Sequence, residues 1–306
     1  MSELEITAFL LAHYPFQTIR LGERLATKGQ RQALLLQTEQ GPYVLKISEP
    51  GRSEMTVRSD TGILSYLEKH GYPAPRLLQT LDGRDYLPYG DCFLHLYAYL
   101  AGQHPLPSKS FMEKAGRMLA QLHNLPSEAY GRESSYTPRG IVEEVRGYFQ
   151  RAQQTDQCTM AEDLLDRLDR LPSFDHLPRG LIHTDPYLVN WLEDPAGALT
   201  LIDWDDAGVG IPLLDVGYMV ANLTTYPRHE AQRWGVEQTG QITWREDWGR
   251  AFLAAYQEIH PLTGMERALL PAAIQLSVLA YMWDWDRQCL TEDNMVRLEI
   301  VECFRL

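Results

Sequence analysis

The chain has 306 residues, 44% of them hydrophobic and 23% charged, with a formal net charge of −13. That is globular material long enough for two lobes, each able to bury a core. The acidic balance argues against nucleic acid or an anionic membrane as a partner and leaves room for a cationic small molecule.

Cys92, Cys158, Cys289 and Cys303 show no C-x-x-C or other ligand spacing, so they read as reduced thiols of a cytoplasmic protein. The opening MSELEITAFLLAHYPF starts acidic and lacks a basic lead, which argues against a signal peptide. No run approaches the roughly twenty apolar residues that cross a bilayer.

In chain order, Ile6, Phe9, Leu10 and His13 have helical spacing, which predicts a helix over residues 3–13 ending before Pro15. Short runs at Thr18–Leu25, Ala33–Thr38 and Tyr43–Ile47, separated by glycine-bearing turns, read as an antiparallel meander. Lys46 lies inside the third run. A lysine there either snorkels outward or meets a carboxylate or phosphate, and the strand alone leaves both open. A helix carrying Ile63, Leu64 and Leu67 closes at His70-Gly71. Arg76–Thr80 follows, then a strand pair at Tyr86–Pro88 and Cys92–Leu100. His95 is expected to pack or face solvent.

From Gly102 the texture becomes helical. Ser110 to Glu113 reads as a capping box before the stripe Ala115, Met118, Leu119 and Leu122. A polar loop spans Tyr130–Arg139, and helices are predicted over 141–153 and 159–170, then at Leu214–Leu223, about Arg245–His260 and Met265–Arg287. The last is apolar on two faces and places Asp284 and Asp286 beside Trp283 near its C-terminus. Carboxylates there call for a cation, either Arg287 or an acceptor's ammonium.

Between these helices, two strand-like runs, Gly180–Ile182 and Leu199–Ile202, each end in a polar cluster. The first is His183-Thr184-Asp185 and the second Asp203-Trp204-Asp205-Asp206, with Asn190 between them and a hairpin turn at Asp194–Gly197. A carboxylate, an amide and a second carboxylate form the oxygen set that hard cations such as Mg²⁺ take, and phosphoryl transfer needs a carboxylate to orient the attacking hydroxyl. As purely local structure, Asp185 caps a turn and Asp203 ends a strand.

His183-Thr184-Asp185 to Asn190 and Ile202-Asp203-Trp204 resemble the H-x-D-x-x-x-x-N and I-D-[WF] motifs of the aminoglycoside phosphotransferase and choline kinase superfamily. The resemblance extends in outline from Leu21 to Asp215. It implies an α+β, two-lobed, protein-kinase-like fold, with a small antiparallel-sheet lobe over 1–100 that binds nucleotide and a larger, mainly helical lobe over 101–306. It also implies an ATP-dependent phosphotransferase that acts with Mg²⁺ on a hydroxylated small molecule. In that frame Asp185 is the catalytic carboxylate, Asn190 and Asp203 are metal ligands, and Lys46 holds the nucleotide phosphates. Gly29, in the turn Ala26–Gln32, covers those phosphates, and backbone groups near Tyr97 and Tyr99 meet the adenine edge. His183 stiffens the loop, Asp205 supports the metal or the acceptor, and Asp215 is a cap or loop tie.

The family's lysine pairs with an acidic residue on the next helix. Asp60 falls within the stripe of Ile63, Leu64 and Leu67, whereas Glu54 falls to one side, so Asp60 is the expected partner. A helix N-cap role for Asp60, or Glu54 as partner, are the alternatives. Thr184 stands where the family usually has glycine, and a β-branched residue narrows the available backbone there. The lack of A-P-E after Asp203 excludes a protein kinase. A nucleotide-binding sensor without turnover is the competing function, and a metal-dependent hydrolase lacks further ligands near His183.

Overall fold

A computed structural model describes residues 3–28, 31–127, 130, 132–134, 136–284 and 287–304, with backbone alone at 26–28 and 31. The chain divides into two compact units: Met1–Gln103 with Leu192–Asp205, and His104–Trp191 with Asp206–Leu306. It is α+β, with an antiparallel sheet in the first unit and mostly helices in the second.

The first unit opens with α1 (Glu3–His13), β1 (Ile19–Lys28), β2 (Arg31–Thr38) and β3 (Gly41–Ile47). Then come α2 (Glu54–Lys69), β4 (Leu77–Leu78), β5 (Leu87–Tyr89) and β6 (Cys92–Ala98). The strands form one sheet in the order β1-β2-β3-β6-β4, with β5 also beside β6 and every pairing antiparallel. Leu45, Ile47, Leu94 and Leu96 enter a core shared with Ile6 and Leu10 of α1. Because strand side chains alternate, Lys46 and His95 face the opposite side, and the register sets them directly across from each other. The expected helix 3–13 and the meander are therefore present.

Ser53, not Asp60, caps α2, accepting from the Thr56 N–H at 3.2 Å. The helix gives way at Gly71, whose φ of 68° lies in the left-handed region that glycine adopts without strain. Its buried stripe is Val57, Asp60, Thr61, Ile63, Leu64 and Leu67.

The second unit begins with α3 (Lys109–His123), α4 (Pro138–Ala152), α5 (Cys158–Asp169) and β7 (Gly180–Ile182). The cap of α3 is Ser108, accepting from Phe111 N–H at 3.1 Å, rather than the expected Ser110. Phe111 and Met112 are already buried, so the first turn has to form before them. The chain then returns to the first unit at Leu192. There β8 (Trp191–Glu193) and β9 (Leu199–Leu201) make the hairpin, and Asp194 closes its turn by accepting from Ala196 N–H and Ala198 N–H at 2.9 and 2.8 Å. The second unit resumes after Asp205. β10 (Gly208–Gly210) pairs with β7.

α6 (Pro212–Thr224), β11 (Thr225–Pro227), α7 (Arg228–Arg233), β12 (Ile242–Trp244), α8 (Glu246–Gln257) and α9 (Gly264–Ala280) follow. The chain continues through β13 (Trp283–Asp284), β14 (Cys289–Leu290) and α10 (Glu292–Glu302). α6 is buried along its whole length. It approaches α9 so closely that a Cβ on Gly217 would lie 2.7 Å from the Ala273 carbonyl. Arg297 of α10 is itself buried and ties down the end of α6, donating to Asn222 Oδ1 at 2.7 Å and Thr225 Oγ1 at 3.0 Å.

The helix expected to reach Arg287 stops at Ala280, and Trp283–Asp284 pairs instead with Cys289–Leu290. An apolar run without a preferred face does not mark its own end, so periodicity could not place this boundary. Asp284 therefore does not sit at a helix C-terminus; it accepts from Arg287 N–H at 2.9 Å and lies 3.7 Å from Arg287 Nε. Trp285 and Asp286 lie outside the described residues. Among the described residues no helix is long and apolar enough to cross a membrane. All four cysteines are free thiols.

Candidate active site

Two groups of the predicted residues assemble, one within each unit. In the first, Lys46 Nζ donates to Asp205 Oδ1 at 2.6 Å and to Asp203 Oδ1 at 3.1 Å. Asp205 lies 3.9 Å from Arg52, and Arg52 bonds Asp60, giving an alternating chain Lys46–Asp205–Arg52–Asp60. The expected direct partnership of Lys46 with Asp60 is thus replaced by one that runs through Arg52 and Asp205. Periodicity placed Asp60 on the right face, but Arg52 comes from the loop before α2, which no helical pattern reaches. Glu54 is exposed and accepts from the Tyr86 hydroxyl at 2.8 Å.

Burial works to raise the Asp205 carboxyl, but the Lys46 and Arg52 charges outweigh it and hold it down at about 2. Burial likewise works to lower the Lys46 ammonium, and its anionic neighbours carry it above the ordinary lysine value. His95 is buried, and among the described residues neither of its ring nitrogens has a hydrogen-bond partner. Burial first, then the Lys46 charge, pushes it down to about 3, so it is a neutral imidazole. Lys46, Ser48, Arg52, Val57, Asp60, His95 and Asp205 line a small enclosed space.

Tyr97 faces the same side of β6 as His95, with the two rings edge to face at 5.3 Å. Of the backbone donors expected to face adenine, Ala98 N–H goes to Arg76 O at 2.9 Å and Tyr99 N–H to Pro42 O at 3.4 Å. Gly29 lies outside the described residues, between the end of β1 and the start of β2.

In the second unit the motif begins where β7 ends. Thr184 has φ 78°, the left-handed region in which glycine is at ease and a β-branched residue is strained. The buried Asp215 carboxylate holds it there: Oδ2 accepts from His183 N–H at 2.7 Å and Oδ1 from Thr184 N–H at 3.0 Å. His123 Nε2 lies 3.4 Å from the same Oδ2, and its Nδ1 is 2.7 Å from the Tyr256 hydroxyl. His183 Nδ1 accepts from Asp185 N–H at 3.3 Å, as suits a residue that stiffens the loop.

Asp185 is half-buried. Its Oδ1 accepts from the Tyr218 hydroxyl at 2.6 Å and its Oδ2 from Asn190 Nδ2 at 3.1 Å. Asn190 Nδ2 also donates to Asp185 O at 2.8 Å. Tyr218, absent from the sequence reading, carries no motif signal; it can be found only as the residue three positions after Asp215 on α6.

Each unit carries oxygen donors of the kind a hard divalent cation takes. With Nδ2 committed to Asp185, Asn190 has its amide oxygen left to offer, and Asp203, its side chain 47% exposed, bonds Lys46 through one oxygen and keeps the other. No cluster of three or more His, Cys, Asp or Glu ligands forms among the described residues. Mg²⁺ does not need one, since it binds through one or two protein oxygens, with water and phosphates completing its shell.

A family model described as the phosphotransferase enzyme family matches residues 23–262. The homoserine kinase of Hyphomonas neptunium is 24% identical over 284 residues, covering 87% of this chain and 83% of that one. That of a Chelativorans species is 25% identical over 295 residues, covering 93% and 86%. Among solved structures, an amicoumacin kinase in complex with AMP-PNP and Ca²⁺ superposes with a TM-score of 0.65 at 16% identity, covering 99% of this chain and 92% of that one. A microcompartment-associated aminopropanol kinase gives 0.63 at 19%, covering 98% and 94%.

Proposed function

We propose, for a chain that belongs to the phosphotransferase enzyme family, a reaction in which the γ-phosphoryl group of Mg·ATP passes to the hydroxyl of a small amino-bearing acceptor. The observation that carries it is Asp185, a carboxylate fixed at both oxygens on a loop whose backbone is itself clamped by Asp215. Asp185 takes the proton of the acceptor hydroxyl, the freed oxygen forms a bond to the γ-phosphorus, and the bond to the β–γ bridging oxygen breaks to leave ADP.

Lys46 pairs with the nucleotide phosphates, and Asp205, buried and bonded to it, keeps the ammonium placed when Asp203 is taken by the cation. Asn190 and Asp203 would hold Mg²⁺, which would supply charge neutralisation on the transferring phosphates. In this reading adenine meets the backbone groups near Tyr97 and Tyr99 that the Ala98 and Tyr99 N–H bonds leave unused, and the turn at Gly29 takes the phosphates. That the curated relatives matching most of the chain include homoserine kinases supports turnover over a sensor role and favours an acceptor of homoserine type.

Purified protein with ATP and Mg²⁺ is to be screened against homoserine, 3-aminopropanol, choline and aminoglycosides by ADP release and by mass of the product. One acceptor is expected to gain a phosphate. Asp185→Asn should then bind Mg·ATP as the parent does and transfer about 10²–10⁴-fold more slowly. An unchanged rate per bound complex, with nucleotide affinity lost, overturns the role of Asp185.

A further inference from the structure

We infer that Tyr218 is a positioning residue for Asp185, its hydroxyl fixing one carboxylate oxygen so that the other is presented to the acceptor. Asp215 and Tyr218 are three residues apart on α6 and so share a face. One clamps the backbone of residues 183 and 184, and the other reaches the Asp185 side chain at 2.6 Å.

The close approach of α6 and α9 at Gly217 and Ala273 brings Tyr281, just past the end of α9, to the same place. Tyr281 donates to the Tyr218 hydroxyl oxygen at 3.2 Å, so the Tyr218 proton is directed to Asp185. Asp185 Oδ2, bonded by Asn190, still has a lone pair to receive a proton. A buried tyrosine needs only some acceptor for its hydroxyl, and a backbone carbonyl would serve. Here the acceptor is the carboxylate to which the chemistry is assigned. Burial first, then Tyr281 and Asp185, raises the Tyr218 phenol well above its usual value, so it remains a donor at any working pH.

The kinetic test rests on the phosphotransferase reading; a second arm does not. In Tyr218→Phe we expect kcat to fall about 10–100-fold, with KM for ATP and for acceptor and the melting temperature near the parent's. Tyr281→Phe, at a residue 42% exposed, should cause a smaller fall, and the double variant should match Tyr218→Phe alone. An unchanged kcat, or a raised acceptor KM at unchanged kcat, overturns the inference. If Tyr218→Phe does not fold, Tyr281→Phe decides by the same criterion.

Independently of turnover, protein labelled with ¹³Cζ-tyrosine is compared with Asp185→Ala. The Tyr218 resonance, identified by its loss in Tyr218→Phe or, failing that, by specific labelling, should shift. No shift overturns the contact. A shift without transfer by the parent to any acceptor instead overturns the reaction and with it the role.

Discussion

Asp215→Asn is the sharpest probe of how the loop of residues 183–185 is held. The parent carboxylate is 1% exposed and gives each of two backbone donors its own oxygen, His183 N–H at 2.7 Å and Thr184 N–H at 3.0 Å. An amide of the same shape offers one oxygen and turns an NH₂ toward the other donor. One buried N–H then loses its acceptor, costing about 1–3 kcal/mol, and the surviving bond loses its charge assistance, about 1 kcal/mol more. Against this, Thr184 can relax from φ 78° and recover about 1–2 kcal/mol.

The net loss is about 1.5 kcal/mol, or roughly 3–6 °C in the melting transition of a unit this size. Calorimetry is the assay, because a two-unit chain need not melt in one step. Kinetics on the same preparation should show kcat falling more than nucleotide affinity, since Asp185 is the next residue along. If the transition moves by less than about 1 °C and kcat is unchanged, the clamp does not hold the loop and the assignment fails.

Thr184→Gly keeps the clamp and removes the strain. Relief of about 1–2 kcal/mol against a glycine entropy cost of about 0.5–1 predicts a melting temperature equal to or slightly above the parent's; a clear fall refutes the strain. Asp203→Ala should abolish Mg²⁺-dependent turnover with the circular dichroism spectrum intact, and parent-like turnover removes it from the metal set. Asp205→Asn frees Lys46 from its buried partner and should raise KM for ATP more than it lowers kcat. His95, held neutral at about 3 when folded, has an ordinary value near 6.5 when unfolded. Below that value the unfolded chain binds the extra proton. Its stability contribution is thus complete above about pH 6.5 and is lost as pH falls toward 3. Chemical denaturation across that window should be flatter in His95→Leu than in the parent, and equal slopes refute the neutral, buried histidine.

What could be read from the sequence follows the range of the signal. The residues of the H-x-D and I-D-W motifs lie close along the chain, so spacing alone displayed them. Asp60 was readable as inward-facing because helical period is local, yet its Arg52 partner sits in a loop. Likewise Asp205 stands two residues after Asp203, but nothing local says that it rather than Asp60 would bond Lys46. Tyr218 is 33 residues from Asp185 along the chain, and a long-range bond of this kind leaves no periodic trace. The end of α9 was unreadable for a different reason, since an apolar run without a preferred face carries no polar side to mark where it stops.

Thr184 and Asp203, the residues at the two motif turns, both have positive φ, 78° and 64°. Such backbone persists only where its surroundings over-determine it. At Thr184 the surroundings are the Asp215 carboxylate on two successive N–H groups. At Asp203 they are a neighbour on each side of the charge. Trp204, 3% exposed, anchors the turn by donating from Nε1 to Leu201 O at 2.8 Å and meets the Tyr72 ring edge to face at 5.7 Å, while Lys46 bonds the carboxylate itself. Aspartate tolerates this region better than a β-branched residue, so Asp203 needs a side-chain anchor next door, whereas Thr184 needs a buried carboxylate. The strength of each restraint thus matches the cost of the conformation it holds.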